Sequence, residues 1–83
     1  METRFEFVTY LKGDVEVSDR NFVVDLIKKI GLACSHDREE LFTMHYNNTG
    51  DISFTFKGTR EEYDKFRRVT DGLYPGLCIF DGR

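Results

Sequence analysis

Cys34, His36, His45 and Cys78 are the residues of this 83-residue chain whose side chains could ligate a metal or act as nucleophile and base. Their spacing forms no C-x-x-C pair and matches no finger or knuckle, so a structural zinc site would need all four to converge from distant parts of the chain. A nucleophilic Cys–His pair needs a thiolate, and neither cysteine has sequence neighbours that would depress its pKa. Carboxylates occur as the adjacent pairs Glu39-Glu40 and Glu61-Glu62. Adjacent positions on a helix point about 100° apart, so neither pair forms an acid–base site by itself. No glycine-rich phosphate loop, G-x-S-x-G or H-E-x-x-H is present. The sequence reads as non-enzymatic, with no metal and no cofactor.

Charge points to binding instead. The net charge is −3, and residues 1–25 hold six acids against three bases, while the rest of the chain balances. The acidity is densest around Asp14, Glu16 and Asp19. These three, with Tyr10 nearby, are the candidate contacts for a partner protein with a basic surface. A second cluster, Lys65, Arg67 and Arg68, is the candidate contact for phosphate or RNA. Overall acidity disfavours nucleic acid, whose binders are usually basic. With two cysteines and no basic-then-apolar leader at Met1-Glu2-Thr3-Arg4, we expect reduced thiols and a cytoplasmic protein. No run approaches the roughly 18–20 apolar residues of a membrane span. Asn47-Asn48-Thr49 has the form of a glycosylation site but, without export, is a turn.

The elements that must position these residues follow from periodicity. The chain is 40% apolar and 14% aromatic with one proline, a globular composition of a size for one domain over 1–83. Arg4 to Leu11 alternates, with Phe5, Phe7, Thr9 and Leu11 on the core face. Ser18 is placed to cap a helix over 19–30, with Val17 and Phe22 stapled across the cap. Phe22, Val23, Leu26, Ile27 and Ile30 form its stripe, and Gly31 is placed to end it. Ser35 to Glu40 reads as a loop. Leu41 to Tyr46 alternates again, with Phe42, Met44 and Tyr46 inward. Asn47 to Asp51 is hairpin-turn chemistry, and Ile52, Phe54 and Phe56 face the core beyond it. Thr59 and Glu62 form a capping box for a helix over 60–71, whose stripe is Tyr63, Phe66, Val69 and Leu73. Leu77 to Phe80 suits a short edge strand.

The order β-α-β-β-α-β, with right-handed crossovers, predicts a ferredoxin-like α+β two-layer sandwich. Its four-stranded antiparallel sheet has the order 4-1-3-2, with both helices on one face. The helices then run antiparallel, placing Lys28 and Lys29 beside Glu61 and Glu62, and Arg67 and Arg68 near Asp19 and Asp14, as the helix dipoles favour. The open sheet face would show Glu6, Val8, Tyr10, Thr43, His45, Ser53, Thr55 and Lys57. An RNA-recognition sheet needs aromatics on its two central strands, and only Tyr10 qualifies here. Val8, His45 and Phe80 are the candidate sheet-face or dimer contacts.

Asp19-Arg20 followed by Val23, Leu26, Ile27 and Gly31-Leu32 resembles the opening of the first helix in ACT domains. That resemblance implies a dimer sensing a small molecule at its interface. The first expectation remains a stand-alone protein-binding module, a stoichiometric regulator or inhibitor using its acidic surface. Small acidic phage proteins directed at host nucleic-acid-handling proteins act in this way. The ACT-like sensor is the alternative, and an RNA-binding module is the third.

Overall fold

β1 (Phe5–Leu11) is the strand around which the molecule is organised, paired on both sides. A computed structural model describes residues 3–81; Met1 and Glu2, part of the leader reading, and the C-terminal Gly82 and Arg83 lie outside the described residues. Phe7, Thr9 and Leu11 on one side of β1 are completely buried, as strand alternation requires of a half-covered sheet. After β1 come α1 (Arg20–Cys34), a single 3-10 turn at Glu39–Leu41, β2 (Phe42–Tyr46), β3 (Ile52–Gly58), α2 (Arg60–Leu73) and β4 (Cys78–Asp81). The sheet order is β2-β3-β1-β4, antiparallel throughout. This is the expected α+β, ferredoxin-like sandwich, with each helix linking two strands that flank a third.

The core is largely aromatic. Phe7 stacks on Tyr63 with ring centroids 4.0 Å apart, and Phe66 lies 5.5 Å from Phe56 and 5.3 Å from Phe42. Each such buried ring contributes roughly 1.5–3 kcal/mol relative to exposure, enough to dominate a domain this small. The capping box forms as expected: Thr59 Oγ1 accepts from the Glu62 amide, and Glu62 Oε1 accepts from the Thr59 amide at 2.9 Å.

Several expectations are corrected. The cap of α1 is Asp19, not Ser18; its Oδ1 accepts from the Phe22 amide at 3.1 Å. Moving the cap by one position removes the Val17–Phe22 staple, and Phe22 is 60% exposed. Gly31 does not end α1. It is buried inside the helix, where a Cβ would lie 2.6 Å from Phe42 Cδ1 and closer still to Cε1 and Cζ. Glycine is there to let β2 approach. The helix ends instead in a Schellman closure: the Asp37 amide donates to Leu32 O at 2.7 Å and the His36 amide to Ala33 O. His36 and Asp37 take φ of 57° and 59° to make it.

Tyr46, Phe5, Val69 and Leu73 were expected inward but are exposed. The inward face of α2 is centred on Tyr63, Phe66 and Thr70, so Val69 and Leu73 fall on its flank. Phe80 pairs in register with Thr9, on the helix-covered side, and its ring lies 6.2 Å from Phe66. It is therefore a core residue and not an open-face contact. The cross-helix ion pairs are also replaced. Lys29 pairs with Asp25 on its own helix, while Glu62 receives Arg4 at 3.2 Å and His36 at 2.7 Å.

Candidate functional site

The β1–α1 loop, the β2–β3 hairpin and the α2–β4 turn gather at one end of the sheet, because each connects chain ends that the strand order brings together. Asp51 ties two of them. Its Oδ1 accepts from the Gly13 amide at 2.7 Å and its Oδ2 takes Lys12 Nζ at 3.1 Å. The amide of Gly13 and then Lys12 hold the Asp51 carboxyl below the ordinary carboxylate value. Gly13 and Gly50 touch backbone to backbone; a Cβ on Gly13 would meet Gly50 C at 2.7 Å. From the other side, Arg20 donates from Nη1 to Val15 O at 3.2 Å and from Nη2 to Lys12 O at 3.0 Å. A loop that the sequence marked only by its acidity is thus clamped at both flanks.

On this frame Asp14 and Glu16 point to solvent, and neither makes an ion pair among the described residues. Of the two nearby cations, Lys12 is paired with Asp51, and Arg20 is held by the Val15 and Lys12 carbonyls with no carboxylate pairing it among the described residues. Asp19 is exposed too, but it is occupied as the cap of α1. Tyr10 does not join this group. It lies on the open sheet face between Ser53 and Ile79 in register. Val8 shares that face, and His45 sits at its far side opposite Ser53. Ile79, 53% exposed beside Tyr10, takes the open-face place expected of Phe80.

Beside the acidic loop the structure places a feature the sequence reading missed. Val15, Val17, Leu73, Tyr74, Pro75 and Leu77 line an apolar depression of about 380 Å³. Two signals were available: valines alternating with acids in a loop, and a Leu73 that helical periodicity assigned to the core.

A larger open trough, about 850 Å³, runs along α2 and contains Lys65, Arg67 and Arg68. It also contains Glu61, Glu62, Asp64 and Asp71, so four carboxylates dilute three bases. Arg67 further lies over the Phe80 ring, 5.6 Å from its centroid, and Arg68 Nε reaches Asp64 O. The trough does not concentrate positive charge for a phosphate.

Cys34 and Cys78 are both buried and free. Burial pushes the Cys34 thiol up against the opposing pull of Lys65, and burial with Asp71 pushes Cys78 to about 11. Both are protonated at neutral pH and unsuited to nucleophilic attack. His45 stands opposite Ser53 on β2 while His36 pairs with Glu62 in the turn after α1, and among the described residues no group of three or more His, Cys, Asp or Glu is arranged to hold a metal ion. Also among the described residues, no helix is long and apolar enough to cross a membrane. No family model, curated protein or solved structure matches the chain.

Proposed function

We propose that the chain is a non-enzymatic protein-binding module, a stoichiometric regulator or inhibitor that meets a basic partner in the cytoplasm through its β1–α1 loop. One observation carries this reading: Asp14 and Glu16 are exposed, with no ion-pair partner among the described residues, on a loop clamped by Arg20 and Asp51. A clamped loop loses little conformational freedom on binding, which favours affinity. Unpaired exposed carboxylates attract a cationic surface and orient its approach. Their desolvation is offset by the partner's lysines or arginines and breaks no internal ion pair. Asp19 adds charge at the edge while capping α1, so it is unsuited to mutation as a pure charge test. The test is capture of partners from nuclease-treated host lysate by wild type and by Asp14→Lys/Glu16→Lys. A single protein held stoichiometrically by wild type and lost from the double variant supports the reading; equal retention refutes it.

The open sheet face supports a second reading, self-association of the ACT-like kind. Val8, Tyr10 and the exposed Ile79 form an apolar strip across β1 and β4. Sedimentation of wild type and Ile79→Lys separates the two, since only a sheet-face dimer would be broken by that change.

A further inference from the structure

The apolar depression and the acidic loop are one surface. Val15 and Val17 form one wall and alternate in sequence with the exposed Asp14 and Glu16. The opposite wall is the α2–β4 turn, which is braced where Asp71 Oδ1 accepts from the Gly76 amide at 3.3 Å. Among the described residues, no basic side chain lines the depression. Both walls are preformed. Val15 is fixed through its carbonyl by Arg20, and Val17, Tyr74 and Leu77 pack against the core. The turn is closed by the Tyr74 amide donating to Thr70 O at 2.9 Å and the Leu77 amide donating to Tyr74 O at 3.2 Å. Leu73 stands 54% exposed at the edge, where a bound apolar group would cover it.

We infer that this depression receives an apolar side chain of the partner flanked by lysines or arginines. The inference rests on the acidic-loop reading and names what the loop recognises. At about 380 Å³ the space lies near the low end of binding pockets, which span roughly 300–1,000 Å³, and suits one or two side chains. The exposed Asp14 and Glu16, interleaved with Val15 and Val17, select cations flanking that anchor. A second copy of this chain meeting it symmetrically would set the same acidic rim against its own, which like-charge repulsion disfavours.

The test is a two-dimensional amide NMR titration at low ionic strength with two capped peptides, Lys-Lys-Leu-Lys-Lys and Lys-Lys-Ser-Lys-Lys. The leucine peptide is expected to shift the amides of Val15, Val17, Leu73 and Leu77 and to bind about tenfold more tightly than the serine peptide. Leu73→Ser, at an exposed position that leaves the core intact, is expected to erase that advantage. Equal affinity of the two peptides, or shifts confined to the α2 trough or the open sheet face, overturns the inference. If both peptides bind equally and Asp14→Lys/Glu16→Lys abolishes binding, the acidic reading survives alone. If the leucine peptide keeps its full affinity for that double variant, the acidic reading fails, and with it the basic flank of the recognised motif. Binding of neither peptide overturns both.

Discussion

Replacing Gly31 with alanine sets two effects of opposite sign against each other. In an ordinary helix interior the change is favourable by about 1 kcal/mol, because glycine has the greater backbone freedom to lose. Here the new methyl would sit 2.6 Å from Phe42 Cδ1 and nearer still to two other ring carbons, so the ring must move by about an ångström to reach normal contact. Phe42 has little room to move, with Phe66 at 5.3 Å, Phe54 at 5.7 Å and Phe56 at 6.1 Å between centroids. Overpacking of a filled core costs about 1–3 kcal/mol, and losing the ring's packing altogether about 3–5 kcal/mol. A ring forced to shift but not lost falls between these limits, at about 2–4 kcal/mol, so after subtracting the helix-propensity gain of about 1 kcal/mol Gly31→Ala is expected to destabilise by about 1–3 kcal/mol. At about 4–8 °C per kcal/mol for a domain of this size, a mid-range loss of about 2 kcal/mol lowers Tm by about 8–16 °C. Urea unfolding followed by far-ultraviolet circular dichroism measures it. Phe42→Leu supplies the second arm of a double-mutant cycle, and Gly31→Ala should cost less in its presence by about 1 kcal/mol. A neutral or stabilising Gly31→Ala would refute the reasoning and mean that Phe42 does not restrict this position.

The buried hydroxyls of Thr9 and Thr70 have no hydrogen-bond partner among the described residues. Valine keeps their shape and removes the unpaired group, so Thr70→Val is expected to raise stability by about 1 kcal/mol in the same urea assay, and a loss of that size would contradict the assignment. Burial raises the Glu62 carboxyl, but the Thr59 amide, His36 and Arg4 outweigh it and hold it below its ordinary value. A depressed folded-state pKa contributes stability that is present above the unfolded value near 4.5 and lost as pH falls through the folded one. The deficit of Glu62→Gln relative to wild type should therefore shrink as pH is lowered from neutrality through the carboxylate range; a pH-independent deficit would show that the charge contributes nothing. Both thiols should react with a disulfide reagent at neutral pH only at the rate of unfolding, and fast labelling of Cys78 in the folded protein would contradict its burial.

The β-α-β-β-α-β order was legible because alternation and helical spacing are local properties, and Phe7, Phe54, Phe56, Tyr63 and Phe66 all lie where periodicity put them. The capping box at Thr59 and Glu62 was legible for the same reason. Gly31 was misread because glycine has two uses, ending helices and admitting a close neighbour, and only the position of Phe42 distinguishes them. Phe80 was misplaced because a four-residue edge strand carries too little alternation to fix which face is which; its pairing with Thr9 decides it. Glu62 caps α2 as its spacing indicates, but its ion partners are Arg4, just before β1, and His36 in the turn after α1, and not the lysines of α1. Of the candidate site, the acids were visible as composition. The clamp by Arg20 and the apolar depression were not, since both join segments distant in sequence or hidden in a loop.

The association rate of the captured partner with wild type and with Asp14→Lys/Glu16→Lys, both verified as folded and followed across salt concentration, bears on the acidic loop without ambiguity. Steering by unpaired surface carboxylates should make wild type associate at least about tenfold faster at low salt, with the difference vanishing as the Debye length falls to about 3 Å near 1 M. Equal rates at every salt concentration would mean that Asp14 and Glu16 are solvated surface charges and that recognition lies elsewhere on the molecule.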